Sequence, residues 1–168
     1  MTTIPQLPAA GPINPASDLI PISQSGVTYA TTASAIAQAV LSLMPVPIPF
    51  SYTFGLLLPG QALFNVTPGV ACSIPAGFAG STAICGGAPT NALSLPIIVG
   101  GTLTAQGTIT GGTQVGTVNY AAGATMGTFA LTNPPAITAT TTIGIEMTSG
   151  GDATFANPAI TLLLNRAG

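Results

Sequence analysis

Glycine and proline interrupt this sequence so often that long helices have little room to form. The 168 residues include 21 glycines and 16 prolines, and turn residues at such short intervals favour short strands. The alternation is clearest where Ile143, Ile145 and Met147 share one face of a strand. We therefore predict a mainly β protein, an antiparallel β-sandwich of jelly-roll-like type. Ten segments have strand patterns: residues 53–58, 62–67, 70–74, 81–85, 93–99, 103–109, 114–120, 126–131, 142–148 and 159–165.

The start of the chain follows a different pattern. Residues 1–16 contain four prolines, which favour an extended arm. Residues 19–30 alternate on both sides of a Gln-Ser-Gly turn, and this pattern predicts a small hairpin. The spacing then becomes helical, with Thr31 or Thr32 as the N-cap and Pro45 as the end of the helix.

A proline-rich segment separates this start from the strands. We interpret VPIPF, residues 46–50, as a stiff linker. The chain is therefore divided into residues 1–49, which hold the arm, hairpin and helix, and residues 50–168, which form the β-sandwich.

The predicted helix has an apolar face but is too short to be stable alone. Ile36, Val40, Leu43 and Met44 follow the spacing i, i+4, i+7 and i+8, which places them on one side. A helix of about three turns is marginal in water, and so is an isolated hairpin. We expect this part to need a partner, which is the sandwich, sibling copies of the chain or a different protein.

Charge is nearly absent. Asp18, Glu146, Asp152 and Arg166 are the only charged residues, and the chain has no Lys and no His. One cation cannot neutralise a row of phosphates, so we expect neither nucleic-acid binding nor attachment to an anionic membrane. Prolines and polar residues break the apolar stretches at residues 35–50 and 93–109, so we expect no membrane insertion.

The low charge also bears on assembly. Charge keeps proteins apart in solution, so a chain with so little is expected to be covered by neighbours. The alternative is a neutral monomer that Thr, Ser, Asn and Gln keep soluble. The first residues, MTTIPQLPAAGP, lack the basic and apolar regions of a secretory signal.

The residue types give little support to catalysis. Without His there is no His-based triad and no imidazole metal site. Glu146 and Asp152 are spaced so that a glycosidase-like pair is conceivable. However, Glu146 occupies an outward position of its strand, and Asp152 follows two glycines, where Asp commonly caps a turn. We predict no enzyme, no catalytic residue, no cofactor and no metal. Arg166 can pair with Glu146, with Asp152 or with a C-terminal carboxylate.

The cysteines and aromatic residues leave alternatives open. Cys72 and Cys85 can form a disulfide if the fold brings them close, or they are buried free thiols. The aromatic side chains can form a sugar-stacking platform, although packing in the core is the default for each; Tyr29 and Tyr120 are the ones we expect to be exposed. The other candidates are Phe50, Tyr52, Phe54, Phe64, Phe78, Phe129 and Phe155.

Two segments together resemble a known class of proteins. Residues 13–36, INPASDLIPISQSGVTYATTASAI, resemble the N-terminal attachment segments of bacteriophage tail-fibre and related virion proteins. The C-terminal half looks like the small β-sandwich at the ends of such fibres. Residues 140–142 are Thr-Thr-Thr where that class commonly has a Gly-Asp turn. The motifs that carry the second likeness are residues 115–118, 120–123, 127–129 and 152–154.

The resemblance implies a function. It implies a non-enzymatic virion structural protein, a short fibre or appendage that is a homotrimer and is attached to the tail, the portal adaptor or the capsid. Capsid decoration, a head fibre and a host-glycan-binding adhesin are the alternatives. The residues expected to mediate attachment and oligomerisation are Asp18, Ile20, Ile22, Tyr29, Ile36, Val40 and Leu43.

Overall fold

The computed structural model describes residues 14–24, 27–51, 60–132, 135–147 and 152–167. The chain divides into two compact units between Leu43 and Met44. We describe each unit by itself.

The first unit is a hairpin followed directly by a helix. Strands β1 (Leu19–Gln24) and β2 (Val27–Thr32) are antiparallel, and the helix α1 spans Ala33–Leu43. The Thr32 hydroxyl accepts a hydrogen bond from the Ala35 amide at 3.1 Å, which satisfies one free donor of the first helical turn. The predicted hairpin, helix and threonine cap are therefore confirmed, and Thr32 is the capping residue.

The second unit contains the remaining strands and one short 3-10 helix over Ala76–Phe78. Its strands are β3 (Pro45–Ser51), β4 (Ala62–Val66), β5 (Cys72–Ser73), β6 (Thr82–Ile84), β7 (Leu93–Val99), β8 (Thr102–Leu103), β9 (Ile109–Thr110), β10 (Thr113–Tyr120), β11 (Gly127–Leu131), β12 (Ile143–Glu146) and β13 (Ala159–Arg166).

These strands form two main antiparallel sheets. The first has the order β11-β10-β7-β12-β4. In the second, β13 lies in the middle, with β3 on one side and with β5 and β6 along the other. The predicted fold class, mainly β and sandwich-like, is confirmed.

The core follows the alternation of the strands. In β7 every second side chain is buried, and the same is true of the middle of β13. Pro96 lies within β7, and the ladder from β7 to β12 covers only Ile97, Ile98 and Val99. The ladder thus stops beside the residue that has no N–H to donate. The buried residues of the two strands are Leu93, Leu95, Ile97, Val99, Ile160, Leu162 and Leu164.

Two interpretations of the sequence are wrong. The expected linker at residues 46–50 is part of β3, because Val46, Ile48 and Phe50 alternate with the prolines and face the core. Prolines are tolerated there because β3 is an edge strand among the described residues. The expected single strand at residues 103–109 is instead part of the β8–β9 hairpin, in which Leu103 pairs with Ile109 and residues 104–108 form the turn. The strand predicted at 53–58 lies outside the described residues.

The aromatic side chains pack in pairs. Tyr120, which we expected to be exposed, is 1% exposed. Its ring lies 5.0 Å from that of Phe155, and its hydroxyl donates to the carbonyl oxygen of Ile84 at 3.3 Å. A buried tyrosine is stable there because its polar end has a partner. Two further pairs are Phe50 with Phe64 and Phe78 with Phe129. Packing in the core, the default reading, is correct for these six.

The two cysteines are buried free thiols. Burial raises the pKa of both. The thiol of Cys72 donates to the carbonyl oxygen of Val70 at 3.2 Å. Of the two alternatives that the sequence left open, the structure has the free thiols.

Candidate assembly surface

The first unit carries a disproportionate share of exposed apolar side chains. Ten large hydrophobic side chains are exposed in the described part of the protein, and five of them belong to this unit. Single exposed apolar residues are ordinary on a protein surface, whereas a concentration of them marks an interaction site. The five are Leu19, Ile22, Val40, Leu41 and Leu43.

The second half of α1 is uncovered. Ala33, Ser34 and Ile36 are half-buried, so the first turn of the helix packs against its surroundings. Every residue from Ala37 to Leu43 whose side chain is described is exposed. A helix of 11 residues gains little stability from its own hydrogen bonds. The described side chains of this half of the helix therefore contribute little of the burial that normally stabilises a helix in water.

The helical residues predicted to mediate assembly share one face. Ile36, Val40 and Leu43 are separated by four and three positions, which places their side chains along one side of α1. Ile36 is half-buried, Val40 is 54% exposed and Leu43 is 83% exposed. Exposure thus increases along this face toward the end of the helix. We call Ile36, Val40 and Leu43 the helix seam.

The predicted hairpin residues lie on β1 and β2. Ile20 is half-buried and Ile22 is exposed. Ile22 is directly opposite Tyr29 in the ladder, and the side chain of Tyr29 is outside what the structure describes. The predicted site residues therefore lie on two neighbouring elements of the first unit, the hairpin and the helix.

Asp18 has a local structural role. Its carboxylate accepts a hydrogen bond from the Asn14 amide at 2.8 Å, and its own amide donates to the Asn14 carbonyl at 2.9 Å. The carbonyl of Pro15 in the same loop accepts from the Ser34 amide at 2.9 Å. Asp18 closes a loop that is joined to the first turn of α1. The sequence suggested that Asp18 contacts a partner. Its hydrogen bonds in the structure support a different role, which is to hold the loop that is bonded to the start of α1.

Electrostatics do not oppose contact between copies of the first unit. Asp18 is its only charged side chain in the described residues. The helix has no acidic residue in its first turn and no basic residue in its last turn. Side chains without charge can approach their equivalents in another copy without repulsion or the cost of desolvating an ion.

Asp152, which the sequence also suggested as one member of a carboxylate pair, caps a turn as predicted. One carboxylate oxygen accepts from the Thr154 amide at 2.9 Å and from its hydroxyl at 2.6 Å. The other accepts from the Asn91 amide at 3.0 Å. The Thr154 hydroxyl and these amides lower the pKa of Asp152 to about 2. A carboxylate that is ionised and fully engaged at neutral pH is a poor general acid.

The remaining charged residues of the second unit are Glu146 and Arg166. Glu146 is half-buried at the end of β12. The Nε atom of Arg166 is buried and has no hydrogen-bond partner among the described residues. The predicted pairing of Arg166 with a carboxylate is therefore not made through this atom.

The described residues contain no group of three or more His, Cys, Asp or Glu side chains suited to a metal ion. No helix in the same part of the chain is long and apolar enough to cross a membrane. Comparison of the chain with protein-family models, with curated proteins and with solved structures gives no match.

Proposed function

We propose that this protein is a non-enzymatic structural protein of a bacteriophage virion. It is a short homotrimeric fibre or appendage that the first unit fixes to the tail or the head. The observation that carries the proposal is the uncovered second half of α1, from Ala37 to Leu43. The resemblance of residues 13–36 to attachment segments of virion proteins supports the viral part of the proposal.

The energetics favour an assembly of several copies. Burial of one Val or Leu side chain contributes about 1.5–3 kcal/mol. Three copies of Val40 and Leu43 together contribute on the order of 10 kcal/mol. Forming a trimer from three chains incurs the cost of association, about 4–15 kcal/mol, twice. The helix seam alone therefore offsets only the lower part of this range. Leu19 and Ile22 of the hairpin, which are exposed in the same unit, supply additional apolar area.

The helix composition suits close packing around a symmetry axis. Alanine occupies positions 33, 35, 37 and 39, so the helix is narrow beside its apolar seam. Narrow helices with one apolar stripe associate through that stripe. The proposed number of three copies rests on the resemblance, because virion appendages of that class are usually trimers.

The binding partner on the particle belongs to the proposal as well. A tail protein, the portal adaptor or the capsid is the attachment point, and a head fibre or a capsid-decorating subunit would use the same surface. A role as a host-glycan-binding adhesin receives less support, because the six aromatic rings that the structure describes are paired with one another.

Two measurements test the proposal. Sedimentation equilibrium of the full chain should give three times the chain mass of 16.4 kDa. Gold-labelled antibodies against the protein should bind at defined positions on purified particles of the phage that encodes it. A monomer across the micromolar range contradicts the assembly, and particles without label contradict the virion location.

A further inference from the structure

The free edge of β3 has an unusual composition. Three of its seven residues are prolines, at positions 45, 47 and 49, and each is exposed. Among the described strands β3 pairs only with β13, since β5 and β6 pair with β13 along its opposite side. One side of β3 therefore faces no other described strand.

The register fixes which backbone groups lie on that free side. In an antiparallel strand the N–H and C=O of one residue point to the same neighbour, and successive residues point to opposite sides. Seven residue pairs join β3 to β13, and proline has no N–H to contribute to them. The donors of this ladder must therefore be Val46, Ile48 and Phe50. Pro45, Pro47 and Pro49 then present carbonyl groups and no N–H to the free side.

We propose that this edge is closed to strand addition by its prolines. An added strand needs donors and acceptors in alternation along the edge. The β3 edge supplies acceptors at three successive outward positions, so a regular ladder cannot form on it. The second sheet is thereby prevented from pairing with a strand of a neighbouring copy at its β3 edge.

The β3 edge lies on the side of the sandwich opposite to the one where the two sheets are joined by backbone hydrogen bonds. On the far side of the sandwich the two sheets are linked, because Ile84 of β6 bridges to Met126 and the Cys85 amide donates to the Thr125 carbonyl at 2.9 Å. On the near side β3 and β4 leave an apolar groove of about 240 Å³. Among the residues that line this groove are Val46, Ile48, Phe64 and Val66.

This inference goes beyond the proposed function. It applies whatever partner covers the first unit, and it concerns only the β3 edge of the second sheet. Copies held together in an appendage meet at high local concentration, where an unprotected edge is most prone to pairing.

The test restores the missing donors in the full chain. Pro47→Thr with Pro49→Thr returns two N–H groups to the free edge with polar side chains that suit a strand. We expect the weight-average mass in sedimentation to rise at least about twofold between low and high protein concentration, because the edge now accepts strands. The matched control, Pro47→Lys with Pro49→Lys, restores the same N–H groups but adds charges that oppose edge pairing. We expect it to keep the wild-type mass.

Two results overturn the proposal. One is a folded threonine variant with the wild-type mass at every concentration, and the other is equal association of the lysine control. If the threonine variant does not fold, amide hydrogen exchange of the wild type decides. Slow exchange at Val46, Ile48 and Phe50 supports the assigned geometry, and exchange as fast as in exposed loops overturns it. None of these outcomes depends on whether the wild type is a trimer.

Discussion

The ring of Phe50 packs against the ring of Phe64, with centroids 4.9 Å apart and an angle of 31° between the planes. Phe50 belongs to β3 of the second sheet, and Phe64 belongs to β4 of the first. The pair therefore joins the two sheets on the side of the sandwich where β3 and β4 lie. It also connects a segment that the sequence suggested was a linker directly to the core.

The contact between the rings of Phe50 and Phe64 should stabilise the fold by more than the burial of the two separate rings. A double-mutant cycle with Phe50→Leu and Phe64→Leu should give a coupling energy of about 0.5–1.5 kcal/mol, the usual value for aromatic pairs. Urea unfolding at a fixed protein concentration measures it. The control cycle combines Phe50→Leu with Phe129→Leu, whose ring packs on Phe78 instead, and should be additive within about 0.5 kcal/mol. Equal coupling in both cycles contradicts a direct contact.

The start of the sandwich should be at Met44. A fragment of residues 44–168 should fold, because it retains β3 and the whole ladder to β13. A fragment of residues 52–168 should be unfolded or much less stable, because it loses Ile48, which is 7% exposed, and uncovers one side of β13. Near-ultraviolet circular dichroism and urea titration compare the two. Equal stability would show that β3 is dispensable, as a linker would be.

Much of the fold is predictable from local patterns, and the exceptions depend on distant partners. The strand at residues 93–99 and the Thr32 cap follow from periodicity and from neighbours within a few positions. The strand β3 cannot be predicted from such local patterns, because its three prolines are not typical of a strand. Its partner β13 is also more than 100 positions away. The burial of Tyr120 has the same cause, since it depends on Phe155 and the Ile84 carbonyl.

The candidate site is predictable to a similar extent. The face formed by Ile36, Val40 and Leu43 follows from helical spacing alone. Whether the first unit covers that face depends on its tertiary packing, and Val40 and Leu43 are exposed in it. The Asp152 cap was visible in the Gly-Gly-Asp sequence, whereas its bond to the Asn91 amide spans 61 positions and leaves no local signal.

The thiols should react only when the protein opens. Cys72 and Cys85 are 2% and 7% exposed, and burial raises the pKa of each, so little reactive thiolate is present at neutral pH. Iodoacetamide should leave both unmodified in the native protein and modify both in urea, as measured by mass spectrometry. The exposed control is Ser73→Cys, which should be labelled without urea. Rapid native labelling of Cys72 or Cys85 would contradict their burial.

Asp152 should make stability depend on acid pH. Its pKa is about 2 in the folded protein, below the ordinary value of 3.8. The stabilisation is therefore complete above the ordinary value and is lost as the pH falls from about 4 to about 2. Asp152→Asn should lower the free energy of unfolding at neutral pH. It should also reduce the dependence of the melting temperature on pH between about 4 and about 2.

The Thr154 hydroxyl provides a sharper version of the same test. It is the largest cause of the lowered pKa of Asp152. Thr154→Val should therefore move the acid transition to higher pH, and Thr154→Ser, which keeps a hydroxyl, should not. An unchanged profile in the valine variant would show that the carboxylate is held by other groups.

The helix seam gives the most direct test of assembly. Val40 is 54% exposed in the single chain, so Val40→Asp should not disturb the fold of the chain itself. In a symmetric trimer the same change brings three carboxylates together at an apolar contact, where each loses its hydration. We expect Val40→Asp to reduce the sedimentation mass to that of one chain while the near-ultraviolet spectrum of the sandwich is retained. Leu43→Asp, at the most exposed end of the seam, should act in the same direction.

The control for these variants is Ser34→Asp. It places the same charge on the same helix, but near the N-terminus and away from the seam, where the helix dipole favours an acidic residue by about 0.3–1 kcal/mol. The Ser34 amide already donates to the Pro15 carbonyl, a backbone contact that the substitution leaves in place. We expect the wild-type mass for this variant. If Val40→Asp and Ser34→Asp assemble equally well, the exposed half of α1 does not form the contact between copies.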